Sequence, residues 1–328
     1  MAHELSFKKN GKAEMAYVGE TPWHGLGQAL TADASIDTWT TEAGFDWEVK
    51  RARVSYEVRD EEDNPVRIET VPNRWALYRS DTGVPLSVMS NNYQITQPRD
   101  VMEFFRDLTE AGGFKMETAG MLKGGAHYWA LARADDSFDV GGGDRVLPYL
   151  LLATSCDGSL SNTAQFTTVR VVCNNTLSLA VDNKTGQIRV PHSTAFDPVR
   201  FKTELGLVGG SWDKFKTDAK SLVKRKVSKE EATRYFIDLF YGEETEFDAA
   251  DLKIKRPALE LITKIYLDGV GQRAKTAEGT AWGLLNAVTR YADHEKNAQS
   301  RDTRLQSAWF GAGARMKKTA MDLALALI

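Results

Sequence analysis

The densest apolar pattern lies in the middle of the chain, from Pro148 to Val181. Tyr149 to Ala153 is a continuous apolar run of strand length, Asp157-Gly158 is a dipeptide that favours positive φ, and Ala164 to Val172 is rich in Thr, Val and Phe. That order predicts strand, tight turn, strand. Asn174-Asn175 then offers a side-chain cap, which predicts a short helix over Thr176 to Val181.

Upstream the period changes several times. Ser35 to Ala43 reads as a capped helix with Ile36 and Trp39 on one side, ended by Gly44. Trp47 to Val58 alternates with period two, so that Trp47, Val49, Val54, Tyr56 and Val58 are expected to face a core, with a register change near Ala52. Asp60 to Pro65 is a polar turn, and Val66 to Val71 and Arg74 to Arg79 continue a strand meander. Pro98 to Ala111 places Val101, Phe104, Phe105 and Leu108 on one helical face. Phe114 to Ala119 and His127 to Ala134 read as paired strands joined through Leu122 to Gly125.

From Asp197 onward helical spacing dominates: Phe201 to Leu207, Trp212 to Lys226, Ser228 to Tyr241, Pro257 to Asp268, Thr276 to Asn297 and Ala308 to Ile328. Ser228 and Glu231 form a capping-box pair. The predicted class is therefore α+β, a mostly antiparallel sheet with packed helices followed by a helical C-terminal half. The expected divisions are an N-terminal arm over 1–34, a sheet domain over 35–196 and a helical region over 197–328.

Composition narrows the chemistry. The formal net charge is −3, so no global field recruits nucleic acid, and any such binding needs a local patch. Two cysteines, Cys156 and Cys173, are too few for a disulfide framework and read as buried thiols in a reducing cytoplasm. No leader and no membrane-spanning run is expected. Phosphate-loop, serine-elbow and zinc-ligand patterns are missing, so no cofactor, metal or catalytic residue is assigned, and the chain reads as non-enzymatic. GETPWHGLG, Gly19 to Gly27, is a glycine-rich loop; Trp23 and His24 in it read as an anchor for an extended arm, with a site as the rival reading.

Two features carry possible chemistry. Glu48-Val49-Lys50, with Asp37 and Asp46 upstream, has the form some metal-dependent nucleases place on a strand; alternating exposed charges on a half-buried strand is the plainer reading. The second feature is local basicity. Lys216, Lys220 and Lys224 repeat at i,i+4 and share a helical stripe, continued by Arg225 and Lys226. Lys50, Arg51 and Arg53 add charge on the first long strand, and Arg170 follows the central one. Trp212 and Phe215 lie among these cations, as stacking platforms on a single-stranded nucleic acid would. The plainer reading of the stripe is a solvated helix face.

Four segments then carry a resemblance. GETPWHGLG, TVRVVCNNTL at Thr168 to Leu177, GTAWGLLNAVTRYADH at Gly279 to His294 and SAWFGAGARMKKTAMDLAL at Ser307 to Leu325 look like the phage/plasmid-like proteins built on domain of unknown function 932. The resemblance implies a phage or plasmid gene product in a bacterial cytoplasm, and brings no catalytic residues with it. The order of elements over 35–181 is also similar, at the level of fold, to phage single-strand annealing proteins. Together these imply a homo-oligomer that binds single strands without ATP, through Lys50, Arg51, Arg53, Arg170, the Lys216 to Lys226 stripe, Trp212 and Phe215. The alternatives are a metal-dependent nuclease using Asp46, Glu48 and Lys50, and a structural or host-interaction protein.

Overall fold

The computed structural model describes residues 5–19, 25–111, 113–134, 137–170, 175–178, 180–181, 184–185, 187–200, 203, 210–242, 257–297, 307–309 and 311–328. Its strands are β1 (Met15–Tyr17), β2 (Gln28–Ala29), β3 (Val49–Arg59), β4 (Pro65–Arg79), β5 (Pro85–Ser90), β6 (Phe114–Leu122), β7 (His127–Ala134), β8 (Phe138–Asp139), β9 (Arg145–Ser155), β10 (Asn162–Arg170), β11 (Asn175–Ser178), β12 (Ala180–Val181), β13 (Lys184–Thr185) and β14 (Gln187–Val190). The helices are α1 (Ile36–Glu42), α2 (Pro98–Ala111), α3 (Gly210–Lys224), α4 (Lys229–Tyr241), α5 (Pro257–Asp268), α6 (Ala281–Arg290) and α7 (Ala312–Leu325). Trp23, His24 and Cys173, and the helix expected over residues 201–207 apart from Thr203, lie outside the described residues.

The main sheet runs β11-β10-β9-β7-β6-β1-β2, with β14 also on β10 and β8 on β9. All its pairings are antiparallel except β1 with β2. Both of its faces are covered, which is why Tyr149 to Ala153 is apolar at every position instead of alternating. Ala130, Ala132, Leu150, Leu152 and Ala164 pack under α1 and α2 with Trp39, Val101, Phe104 and Phe105. Trp129, Leu131, Tyr149, Leu151 and Ala153 pack on the other face with Leu5, Met15 and Trp309. The helices α3 to α7 build a third cluster that takes in Val146 of β9 and Val140 just after β8, and Phe166 of β10 touches both this cluster and the one under α2.

The local signals for α1 and α4 act as expected. Ser35 accepts from the Thr38 amide, and Gly44, at φ 83°, follows the end of α1. Ser228 and Glu231 close a full capping box on α4. The helix expected over Thr176 to Val181 does not form. Asn175–Ser178 instead pairs with Thr167 to Arg170 as β11, and Ala180–Val181 is also extended. Once β10 presents a free edge, ladder bonds outweigh a capping preference that is only local.

The strands β3, β4 and β5 form a separate antiparallel sheet. Its base, Val49 to Arg53 on β3 with Trp75 to Arg79 on β4, has β5 as a third strand, paired with Arg74 to Tyr78. Its tip, Ser55 to Arg59 with Pro65 to Thr70, is a two-stranded ribbon. The register shift falls between Arg53 and Ser55, opposite Pro72 and Asn73, and Asn73 has φ 55°. The alternation from Trp47 to Val58 marks a strand but not a core face. Trp47 and Val49 are buried, whereas Tyr56 is 54% exposed.

One buried ion pair roots this ribbon. Arg79, the last residue of β4, donates to Glu14 through both terminal nitrogens at 2.8 and 2.6 Å. Replacing Glu14 by Gln leaves Arg79 with the partly exposed Asp81 as its remaining carboxylate partner and is expected to cost about 3 kcal/mol, the low end for breaking a buried pair. A denaturant midpoint unchanged from wild type would refute it. Gly158 in the β9–β10 turn has φ 73°. Gly158→Val is expected to cost about 1–3 kcal/mol in backbone strain, read from the same unfolding curves.

Candidate nucleic-acid interface

At the ribbon base, Arg53 lies opposite Trp75 and Arg51 opposite Leu77. Side chains alternate along a strand, so Arg51, Arg53 and Trp75 share one face and Lys50 takes the other. The Arg51 guanidinium sits 5.0 Å from the Trp75 ring centroid and that of Arg53 5.9 Å, both within cation–π reach. Both arginines are exposed, and neither pairs with a carboxylate among the described residues. Lys50 is different. Its ammonium meets Glu48 at 2.5 Å, and that contact raises the lysine pKa and lowers the glutamate's.

The same face reaches the main sheet. Met89 of β5 is the next partner across from Trp75. A Cβ on Gly158 would lie 3.4 Å from Met89 Cε, and Ser87 Oγ donates to the Cys156 carbonyl at 2.5 Å. The arginine pair is therefore set on a sheet whose third strand abuts the β9–β10 turn. Of Arg170, the backbone lies in β10 between Val146 and Asn175.

On α3, Lys220 and Lys224 are exposed, as the i,i+4 spacing implies, and so is Lys226 beyond the helix. Lys216 is half-buried, 5.3 Å from the Trp212 ring centroid and 3.3 Å from Asp213. Arg225 holds structure together: it donates to the Leu327 carbonyl at 2.7 Å and bonds Glu231 and the Lys226 carbonyl. The two aromatic residues expected to stack on bases are placed in the packing instead. Trp212 stacks on Phe215, with centroids 5.6 Å apart, and Phe138 of β8 packs edge-on against both rings. Phe215 is 5% exposed and Trp212 half-buried. Their i,i+3 spacing is the apolar seam of an amphipathic helix. Val49 of β3 belongs to the cluster under α1 and α2, and Phe215 of α3 to the helical cluster.

Among the described residues the acidic fragment gains no further carboxylate. Glu48 is taken by Lys50 and Asp46 by Lys8 at 3.3 Å. Among the described residues no three His, Cys, Asp or Glu side chains gather as a cation site.

Sequence reasoning missed a polar cluster at the β9–β10 turn. His127 Nε2 meets Asp157 Oδ2 at 2.8 Å and Ser159 Oγ at 2.9 Å, while Ser159 Oγ donates to Asp157 Oδ1 at 2.6 Å. In a hydrolytic triad the carboxylate and the nucleophile engage opposite ring nitrogens. Here both share Nε2, so the cluster clamps a turn and relays no proton. Beside it the His192 ring meets the Gln94 and Leu160 carbonyls at 3.1 Å each and stacks on Tyr93 with centroids 4.5 Å apart. Burial pushes the Cys156 thiol up to about 12, which keeps it protonated. The Asp-Gly-Ser turn is visible in sequence; His127, thirty residues away, is joined to it only by the pairing of β7 with β9.

Burial pulls the Asp157 carboxyl up, but hydrogen bonds from His127 and Ser159 outweigh that and hold it well below the usual carboxylate range. A depressed folded-state pKa stabilises the protein above the unfolded value of about 3.9, and this is lost as pH falls through the folded value. Asp157→Asn is expected to lower Tm by several degrees at pH 7, with the gap to wild type closing below about pH 4. A gap that stays constant down to acid unfolding would contradict this.

No helix among the described residues is long and apolar enough to cross a membrane. No curated protein and no solved structure matches the chain. The family model described as "Domain of unknown function (DUF932)" matches residues 85–309, a span that opens at β5 and leaves β3, β4 and α7 outside it. With well over half of its length in that match, the chain belongs to the DUF932 family.

Proposed function

We propose that this chain is a non-enzymatic protein of a phage or plasmid genome that binds single-stranded nucleic acid in the cytoplasm of a bacterial host. It would act in strand annealing during recombination or replication, without ATP. The observation that carries the reading is the pair of unneutralised guanidiniums, Arg51 and Arg53, held over the ring of Trp75. Two cations at adjacent same-face positions suit successive phosphates, and an indole beside them suits an unpaired base. Duplex bases are already stacked, so a platform of this kind favours single strands. Lys220, Lys224 and Lys226 on and beyond α3 supply further exposed charge. The resemblance of the element order over 35–181 to annealing proteins, a likeness of fold alone, points the same way.

The test is anisotropy of a labelled oligonucleotide over a salt series. For single strands each phosphate contact contributes about 0.7 to the slope of log affinity against log salt. Arg51→Ala with Arg53→Ala is expected to flatten the slope by about 1.4, nearly equally for all sequences. Trp75→Ala is expected to weaken binding by about 1–3 kcal/mol with little change of slope. Lys220→Ala with Lys224→Ala, which leaves the ribbon untouched, measures the share of α3: a further flattening of about 1.4 if both meet phosphate. Wild-type protein that shows no salt-dependent binding to single-stranded DNA or RNA at low ionic strength overturns the reading.

A further inference from the structure

The ribbon of β3 and β4 is polarised in charge. Its base, residues 49–54 with 74–78, carries four cations, Lys50, Arg51, Arg53 and Arg74, and no carboxylate. Its tip, residues 55–73, carries Glu57, Asp60, Glu61, Glu62, Asp63 and Glu69 against Arg59 and Arg67. Both tip arginines are already committed, Arg59 to Glu57 and Asp63 and Arg67 to Glu69. The remaining acids cluster in the turn Asp60 to Asp63.

The tip is also uncovered. Val66 is 58% exposed and Ile68 73% exposed; two residues apart on β4, they share a face. Tyr56 on β3 is 54% exposed. Among the described residues neither tip strand pairs with anything but the other. An isolated two-stranded ribbon is marginal in water, and open edges with exposed apolar side chains are normally covered by a partner.

We propose that the covering partner is a second copy of this chain, with the two ribbons laid antiparallel so that each acidic tip meets the other's basic base. Charge selects this arrangement. The bulge between Arg53 and Ser55 separates the basic base of β3 from the tip that carries the acidic turn. A two-fold axis near Glu57, midway between Arg53 and Glu61, lays each acidic turn over the partner's basic base. A self-complementary surface is what a two-fold interface requires, and a surface with opposite charges at its two ends has that property. A parallel arrangement sets acid against acid and base against base. The partner's acidic turn then competes with nucleic acid for Arg51 and Arg53, so an open site on one copy and a paired ribbon are alternative states.

The test is sedimentation velocity of the full chain freed of nucleic acid, at 50 and 500 mM salt. A mass of two chains at low salt that falls toward one at high salt is expected, because exposed charge pairs are screened. Glu61→Lys with Glu62→Lys leaves Asp60, whose carboxylate accepts from the Glu62 and Asn64 amides, to hold the turn. This variant and Arg51→Glu with Arg53→Glu are each expected to sediment as single chains. Mixed in equal amounts they are expected to recover the two-chain mass, which also shows that both are folded. Wild-type protein that stays a single chain at 50 mM salt overturns the proposal. So does association that salt leaves unchanged, which assigns the tip to apolar packing, or a mixture that stays apart while each variant retains the wild-type melting curve. The masses are read without nucleic acid, so failure of the oligonucleotide assay and failure of this one are separate results.

Discussion

The buried pair of Arg79 and Glu14 is the contact on which the placement of the ribbon depends. The two side chains are 5% and 1% exposed, and two charges removed from water this far are tolerated only when their hydrogen bonds are satisfied. They are. Besides its two bonds to Glu14, Arg79 donates to Asp81 at 3.0 and 2.8 Å, and its guanidinium lies 4.2 Å from the Trp47 ring centroid. Burial alone would lower the Arg79 pKa; the two carboxylates more than reverse this and raise it, so the residue stays charged. The room for this comes from missing side chains. A Cβ on Gly44 would lie 2.7 Å from Glu14 Cβ, and one on Gly125 would lie 2.8 Å from Trp47 and 2.9 Å from Arg79. The segment before β1, the end of β4 and the β6–β7 turn therefore meet at one charged point.

That point explains how a ribbon with so little core of its own holds a definite pose. Leu77 and Val49 are its buried apolar residues, both at the root. Beyond them order rests on ladder bonds and on side chains that cover one another across the strands, with Trp75 under two guanidiniums. An arginine laid on an indole covers apolar surface while its donors stay in water, which a hydrated lysine ammonium does less well. The feature that stabilises the ribbon base is thus the same one that presents two oriented cations to solvent.

How much of this could be read in advance depends on whether the deciding contact is local. Ser35, Gly44, Ser228 and Glu231 act within one turn of their own helix, and their roles follow from sequence. The central strands are legible because Tyr149 to Ala153 is too apolar for anything but a strand covered on both sides. The segment Asn175–Ser178 is not, since its state is decided by the edge of β10. Trp75 was invisible as a partner of Arg51 and Arg53, because it reaches them through a register that contains a bulge. Trp212 and Phe215 are ambiguous for a different reason. An apolar seam and a stacking platform have the same composition, and what Phe215 and Trp212 pack against, Phe138 for both and Trp282 for Phe215, is set by the tertiary fold.

The same limit applies to charge, and it bears on function more directly. A sequence shows how many cations a segment has, while binding depends on how many are left after the molecule has paired its own. Lys50 is paired with Glu48, Lys216 with Asp213 and Arg225 with Glu231, so three of the basic residues that stood out along the chain are partly neutralised before any ligand arrives. Arg51 and Arg53 are not, because the residues beside and across from them on the base carry no carboxylate. A protein with a net charge of −3 attracts an anion only through such an uncompensated spot. On this ribbon the acids that would have compensated it lie on the far side of a bulge, in the turn Asp60 to Asp63 that begins seven residues past Arg53.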